Sequence, residues 1–150
     1  MFYTVSEIAQ RLGVAPSTLR YYDKEGLLPF VERSNSGIRM FKDEDYEWLQ
    51  IINCLKKTGM HLSDIKRFIE MAMQGDETIE ERLKLITSQK ENVLRRIDEL
   101  HDTLKTLEFK EWYYQTAKKE GTTDFFDNMT VDELPEKFRE VYRNLKGEQE

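Results

Sequence analysis

One cysteine, three prolines and two histidines serve all 150 residues, and each scarcity closes off a class of chemistry. A lone thiol, Cys54, excludes an intramolecular disulfide framework and any zinc site built from several thiolates of one chain. The histidines, His61 and His101, are solitary, so neither a metal site nor a cofactor is expected. Long apolar runs are also missing, and nothing approaches a membrane span. Glu7, Arg11, Arg20, Asp23, Lys24 and Glu25 interrupt the amino end, where a secretory leader needs an apolar core. The chain therefore reads as cytoplasmic, with no membrane partner. No nucleophile, base and orienting group converge and no phosphate loop occurs, so an enzyme is not expected.

What the sequence has in quantity is charge, 35% of residues, with apolar residues in short periodic groups between. That composition suits modest cores and long exposed helical faces. The net charge of −6 is unevenly spread: residues 1–42 carry six Lys/Arg against four Asp/Glu, whereas residues 71–150 carry thirteen against nineteen. The net charge argues weakly against indiscriminate nucleic-acid binding, and the amino end, with "GVAPSTLRYYDKEGLLP", is the positive end.

"TVSEIAQRLG" has Thr4 and Glu7 at capping-box spacing and sets Val5, Ile8, Ala9 and Leu12 on one helical face, with Gly13 as the stop. Pro16 suits the first position of a second helix, in which Leu19, Tyr22 and Gly26 follow at helical spacing. Two short helices joined by a glycine turn make a helix-turn-helix. "FVERSNSGIRMF" reads as a small hairpin, or wing, around Ser34-Asn35-Ser36-Gly37. A third helix is expected from about Asp43 to Thr58, acidic at its start and basic at its end, and a fourth from about Leu62 to Met73. From Ile79, apolar residues step by four and three through Leu83, Ile86, Val93, Ile97, Leu100, Leu104 and Leu107, interrupted at Lys90 and Glu111, with Tyr114 beyond. This heptad register predicts a coiled coil. A single helix cannot bury such a seam, so it needs a partner, most simply a second copy of the chain, which makes a homodimer. After Gly121, "VDELPEKFREVYRNL" puts Val131, Leu134, Phe138, Val141, Tyr142 and Leu145 at helical spacing.

The order of these elements, with "TVSEIAQRLGVAPSTLRYYDKEGLL", "SGIRMFKDEDYEWLQIINCLKKTGMHLSDIK" and the heptads behind them, resembles the MerR family of transcriptional regulators. The expectation is a mainly α chain: a winged helix-turn-helix DNA-binding domain over 1–75, a long antiparallel coiled-coil dimerisation helix over 76–120 and a tail with a short amphipathic helix over 121–150. The resemblance implies that the second helix enters the major groove of promoter DNA. Ser17 and Thr18 at its start can approach phosphate, Arg20 can fork onto guanine or phosphate, and Tyr21 and Tyr22 can donate to backbone oxygens. Arg39 in the wing and Lys66 in the fourth helix match positions where the family contacts DNA. One tyrosine of an adjacent pair must nevertheless face the core.

Phe41 stands where the family commonly has tyrosine, which leaves it a packing role. Ala15, Lys42 and His61 replace capping hydroxyls, at about 1 kcal/mol each. Metal-responsive relatives carry several cysteines near the end of the long helix and multidrug-responsive ones a large added domain; this sequence has neither. Cys54, one turn from Lys57, matches a cysteine in the branch thought to respond to aldehydes and other thiol-reactive electrophiles. It is a candidate sensor for a small electrophile, against the plain alternative of a small buried apolar residue. The family further implies a pseudo-palindromic operator, distortion of the promoter spacer and RNA polymerase as a partner. A regulator without a small-molecule effector, switched by a partner protein on the acidic tail, stands as the alternative.

Overall fold

The computed structural model describes residues 1–147, so the end of the expected tail, 148–150, lies outside the described residues. Strand β1 (Phe2–Tyr3) precedes helices α1 (Val5–Leu12) and α2 (Pro16–Lys24), then strands β2 (Glu32–Arg33) and β3 (Arg39–Lys42). Helices α3 (Asp43–Lys57), α4 (Leu62–Gln74), α5 (Ile79–Glu120) and α6 (Glu136–Lys146) complete the order. The fold is mainly α, a winged helix-turn-helix followed by one long helix. It divides into two compact units, Met1–Glu91 and a second from Asn92 onward, so α5 belongs to both.

In the first unit local signals act as expected. Thr4 and Glu7 form the reciprocal cap of α1: the Glu7 carboxylate accepts from the Thr4 N–H at 2.7 Å, and the Glu7 N–H donates to Thr4 Oγ1 at 3.3 Å. Gly13 then takes φ +69°, a left-handed conformation that favours glycine, and its amide closes onto Ala9 and Gln10. At the start of α3, Lys42 offers no acceptor; instead the buried Asp45 reaches back to the Lys42 N–H at 2.7 Å. Burial raises the pKa of Asp45 despite that bond.

The core of this unit gathers Ile8 and Ala9 from α1, Leu19 and Tyr22 from α2, Phe41 from β3, Leu49, Ile52 and Leu55 from α3, and Ile65, Phe68 and Ile69 from α4. Each such aliphatic side chain contributes about 1.5–3 kcal/mol relative to exposure, which fixes how α2 lies on its neighbours. The sheet has order β1-β3-β2, both pairings antiparallel. The strand β1 has no counterpart in the sequence reading, because its pattern is two residues long and its partners are Phe41 and Lys42. Asp43 secures it, accepting from the Tyr3 hydroxyl at 2.8 Å and from Arg11 at 3.4 Å.

The joint from α4 to α5 is closed by polar bonds. Gly75 adopts φ 99°, ψ −155°, and the buried Thr78 hydroxyl lies 2.5 Å from the Met71 carbonyl and 2.9 Å from that of Gly75. Arg82 donates to Thr78 Oγ1 and to the Gly75 carbonyl, both at 3.1 Å. Gln89 reaches from α5 to Thr58 Oγ1 at 2.7 Å.

The heptad residues of α5 lie open: exposure runs from 39% at Ile86 to 65% at Leu100, and Val93 is half-buried. Leu94, beside the stepped positions, is exposed as well. Only Phe109 and Ala117 of α5 are buried. In the second unit Phe109 packs with Leu134, Phe138 and Val141, flanked by Trp112, Phe126, Met129 and Tyr142. Ring centroids lie 5.6 Å apart for Trp112 and Phe138 and 5.7 Å apart for Phe109 and Phe138, so α6 folds back on the aromatic end of α5.

The tail helix starts later than the sequence spacing suggests. It starts at Glu136, not at Val131; residues Val131–Glu133 form a separate 3-10 turn with Thr130 and Glu133 as its cap. Pro135 separates the two, since the residue before a proline is driven out of helical backbone, and Leu134 is extended at ψ 147°. Leu145 is exposed rather than inward.

Candidate nucleic-acid interface

Alternation of burial along α2 sorts the expected contact residues. Ala15 provides an extended N-cap without a side-chain cap, Pro16 takes the first turn, and Leu19 and Tyr22 face the core. Ser17, Arg20 and Tyr21 are exposed and Thr18 is half-buried. Ser17, Arg20 and Tyr21 share the open face, and Ser17 and Thr18 stand in the uncapped first turn, where helix N–H groups favour an anion.

Tyr22 is not on that face. It is 2% exposed, three residues from Leu19 on the same inner stripe, and burial pushes its phenol above the ordinary range. Packing sorts the adjacent tyrosines: Tyr22, expected among the DNA contacts, turns inward and Tyr21 outward. The rings lie 6.4 Å apart, and Lys56 Nζ from the last turn of α3 sits 5.8 Å from the Tyr21 centroid and 5.0 Å from that of Tyr22. A cation over both rings supports their orientation and adds positive charge beside α2.

Phe41 is fully buried, in keeping with the packing role expected of it. The wing turns at Ser34–Gly37, with Gly37 at φ +80°, and Ser34 Oγ accepts from the Ile38 N–H at 3.1 Å. Arg39 is not a freely solvated arginine. Its Nε donates to Asp23 Oδ2 at 2.8 Å, its Nη2 donates to the same oxygen, and Arg33 Nη2 joins them at 2.7 Å. One carboxylate at the end of α2 thereby binds the wing to the helix. Asp23, Arg33 and Lys56 were not singled out in the sequence; each acts through a partner on another element. Lys66 folds over the carboxyl end of α2, where a Cβ at residue 26 would stand 3.1 Å from its Nζ.

Cys54 is exposed, which removes the alternative of a buried core cysteine. It shares a shallow groove with Leu12, Tyr46, Gln50, Asn53 and Lys57. Among the described residues no group of His, Cys, Asp or Glu is placed to hold a metal ion, and no helix is long and apolar enough to cross a membrane.

A family model described as MerR HTH family regulatory protein matches residues 3–72, and one described as MerR, DNA binding matches residues 46–108. A crystal structure of HiNmlR, described as a MerR family regulator lacking the sensor domain, bound to promoter DNA, superposes with a TM-score of 0.75 at 50% identity, covering 83% of this chain and 98% of that one. AdhR, an HTH-type transcriptional regulator of Bacillus subtilis, is 30% identical over 60% of this chain and 64% of its own. An uncharacterized HTH-type transcriptional regulator of Haemophilus influenzae is 51% identical over 122 residues, 81% of this chain and 90% of its own. These relatives are transcriptional regulators rather than enzymes. On that identity and extent, and with its winged helix-turn-helix in place, the chain belongs to the MerR family of regulatory proteins.

Proposed function

We propose that the protein is a transcriptional regulator that binds a pseudo-palindromic promoter operator as a homodimer and activates RNA polymerase by distorting the spacer DNA. The open face of α2 with its first turn, carrying Ser17, Thr18, Arg20 and Tyr21 beside the arginines of the wing, is the observation that carries this reading. Promoter DNA in the HiNmlR structure supports it. Arg20 supplies base or phosphate contact, Ser17 and Thr18 set the helix on the backbone, and Tyr21, Arg39 and Lys66 add phosphate contacts. Tyr22 supports Tyr21 from within.

Dimerisation falls to α5. Its exposed Leu83, Ile86, Ile97, Leu100, Leu104 and Leu107, with half-buried Val93, make a seam that antiparallel pairing with the same helix of a second copy covers. Bending and untwisting DNA costs several kcal/mol, which the phosphate contacts of two copies offset. In this division, 1–75 reads DNA, 76–120 pairs the copies and the described part of the tail, 121–147, packs against the pairing helix.

Cys54 is the effector site in this reading. Its exposure and the nearby Lys57 suit reaction with a small electrophile, and adduct formation in the groove acts only by favouring one dimer geometry over another. The deciding experiment is in vitro transcription from the protein's own upstream promoter, wild type against Cys54→Ser, with and without a reactive aldehyde. Induction lost only in the variant supports the sensor. Equal behaviour of the two proteins, whether both respond or neither does, leaves the DNA-binding reading standing and moves the search for a switch to the dimer interface and the tail. In the same assay Arg20→Ala is expected to bind the promoter about 1–3 kcal/mol more weakly; unchanged binding overturns the placement of α2 on DNA.

A further inference from the structure

Resting on the reading that α2 and the wing face DNA, we infer that Asp23 is a positioning residue that aligns Arg33 and Arg39 into a two-guanidinium seat for backbone phosphate, with Arg33 a second wing contact. The β2–β3 register sets Arg33 directly opposite Arg39. Like charges opposed across strands repel, so the pairing needs an anion to hold it. Asp23 is that anion. Its Oδ2 accepts from Arg33 Nη2 at 2.7 Å, from Arg39 Nε at 2.8 Å and from Arg39 Nη2. Arg33 is held a second time, through Nη1 to the Gly37 carbonyl at 3.4 Å.

Burial is graded in the direction the role requires. The Asp23 side chain is 15% exposed, that of Arg39 23% and that of Arg33 50%, so the acid is covered and the bases open outward. Two cations around one anion keep a net positive charge. The fixed planar fork of arginine matches phosphodiester oxygens in geometry as well as charge, and holding it in place beforehand lowers the ordering cost of binding.

This assignment reverses the sign of a simple electrostatic expectation. If Asp23 were only a negative charge on a DNA-facing surface, removing it would tighten binding. If it positions the arginines, removing it loosens binding. The experiment measures fluorescence anisotropy of the full chain on a duplex from its own upstream promoter and on a random duplex, across about 50–200 mM salt. Asp23→Asn is expected to bind the promoter about tenfold more weakly, with a salt slope shallower by about 1–2. Glu25→Gln, an exposed acid neutralised at the end of the same helix, is expected to bind equally or more tightly, and Asp23→Glu to recover part of the loss. In an Arg33→Gln/Arg39→Gln background, Asp23→Asn is expected to have no further effect, an outcome that a general loss of fold would not give. Arg33→Gln alone, at an exposed site, is expected to retain the wild-type melting curve and to lower the slope by about 1.

Equal or tighter binding by Asp23→Asn overturns the inference, as does a loss that persists in the doubly substituted background. Wild type that binds neither duplex at low salt overturns the DNA-facing reading itself, and the inference with it. Wild type that binds while every variant matches it overturns the positioning role alone.

Discussion

The unit Met1–Glu91 and the unit that follows place their apolar residues in opposite ways. In the first, side chains from α1, α2, β3, α3 and α4 meet in one closed core, mostly aliphatic with Tyr22, Phe41 and Phe68 among them. In the second, the leucines of α5 point outward and only an aromatic group at the helix end is covered, by α6 and the turns before it. The first unit covers the apolar residues of its shorter helices, while Leu83 and Ile86, where α5 begins within it, and the stretch from Val93 to Leu107 leave an apolar stripe open. Under the proposed function, that difference separates an element that holds its shape in front of DNA from one completed by association.

The comparison breaks most sharply at the stripe. Leu100→Lys with Leu104→Lys removes two apolar residues from each copy of the proposed seam, about 6 kcal/mol per dimer at roughly 1.5 kcal/mol per side chain. Sedimentation is expected to show a monomer, while far-UV circular dichroism of the first unit's helices persists. A dimer that survives both changes places the association surface elsewhere.

A smaller effect is expected in the aromatic group. Phe109→Ala removes the ring that meets Trp112, Phe126, Phe138 and Tyr142, at about 3–5 kcal/mol. If the units are energetically separate, only α6 and the end of α5 lose protection from hydrogen exchange, and amides around Ile65 and Ile69 keep theirs. Leu19→Ala, at about 2–5 kcal/mol, is expected to do the reverse.

The smallest effects are expected in pH dependence. The Tyr3 hydroxyl, then Arg11, lowers the folded-state pKa of Asp43 in the first unit; the Thr130 N–H and hydroxyl lower that of Glu133 in the second. A depressed carboxylate contributes stability that is present above its unfolded value, near pH 4, and lost as pH falls through the lower folded value. Asp43→Asn and Glu133→Gln are therefore each expected to flatten the acid limb of their own unit's stability profile. Tyr22 works in the opposite direction. Its raised folded pKa gives stability that is present below about pH 10 and lost as pH rises, so Tyr22→Phe is expected to flatten the alkaline limb of the first unit.

Short-range features were the legible part of this fold. Thr4 and Glu7, Pro16, the Ser-Asn-Ser-Gly turn and the heptads each declare themselves within a few residues, and α1, α2, the wing and α5 form where those signals fall. The inward turn of Tyr22 was legible too, since Leu19 and Tyr22 already share a helical face; the motif's resemblance to a DNA-reading set pulled the other way. What could not be read depends on residues distant in sequence. Two-residue β1 exists only because Phe41 and Lys42 are beside it, and Asp23 acquires a role only when the wing brings Arg33 and Arg39 to it. Cys54 is intermediate: its helix was evident, but which side of α3 stays open is set by the packing of Leu49, Ile52 and Leu55.

The chain writes nearly the same four-letter phrase twice, "TVSE" at Thr4 and "TVDE" at Thr130, and both copies close with the glutamate Oε2 2.7 Å from the threonine N–H and 2.9 Å from its hydroxyl. The first opens a helix of eight residues; the second yields three residues of 3-10 turn. Identical grammar at the start thus ends differently because Pro135 acts as punctuation after the second copy. An initiation signal in a chain specifies where a helix can begin, and the first residue unable to continue it decides whether the phrase becomes a helix or only a corner.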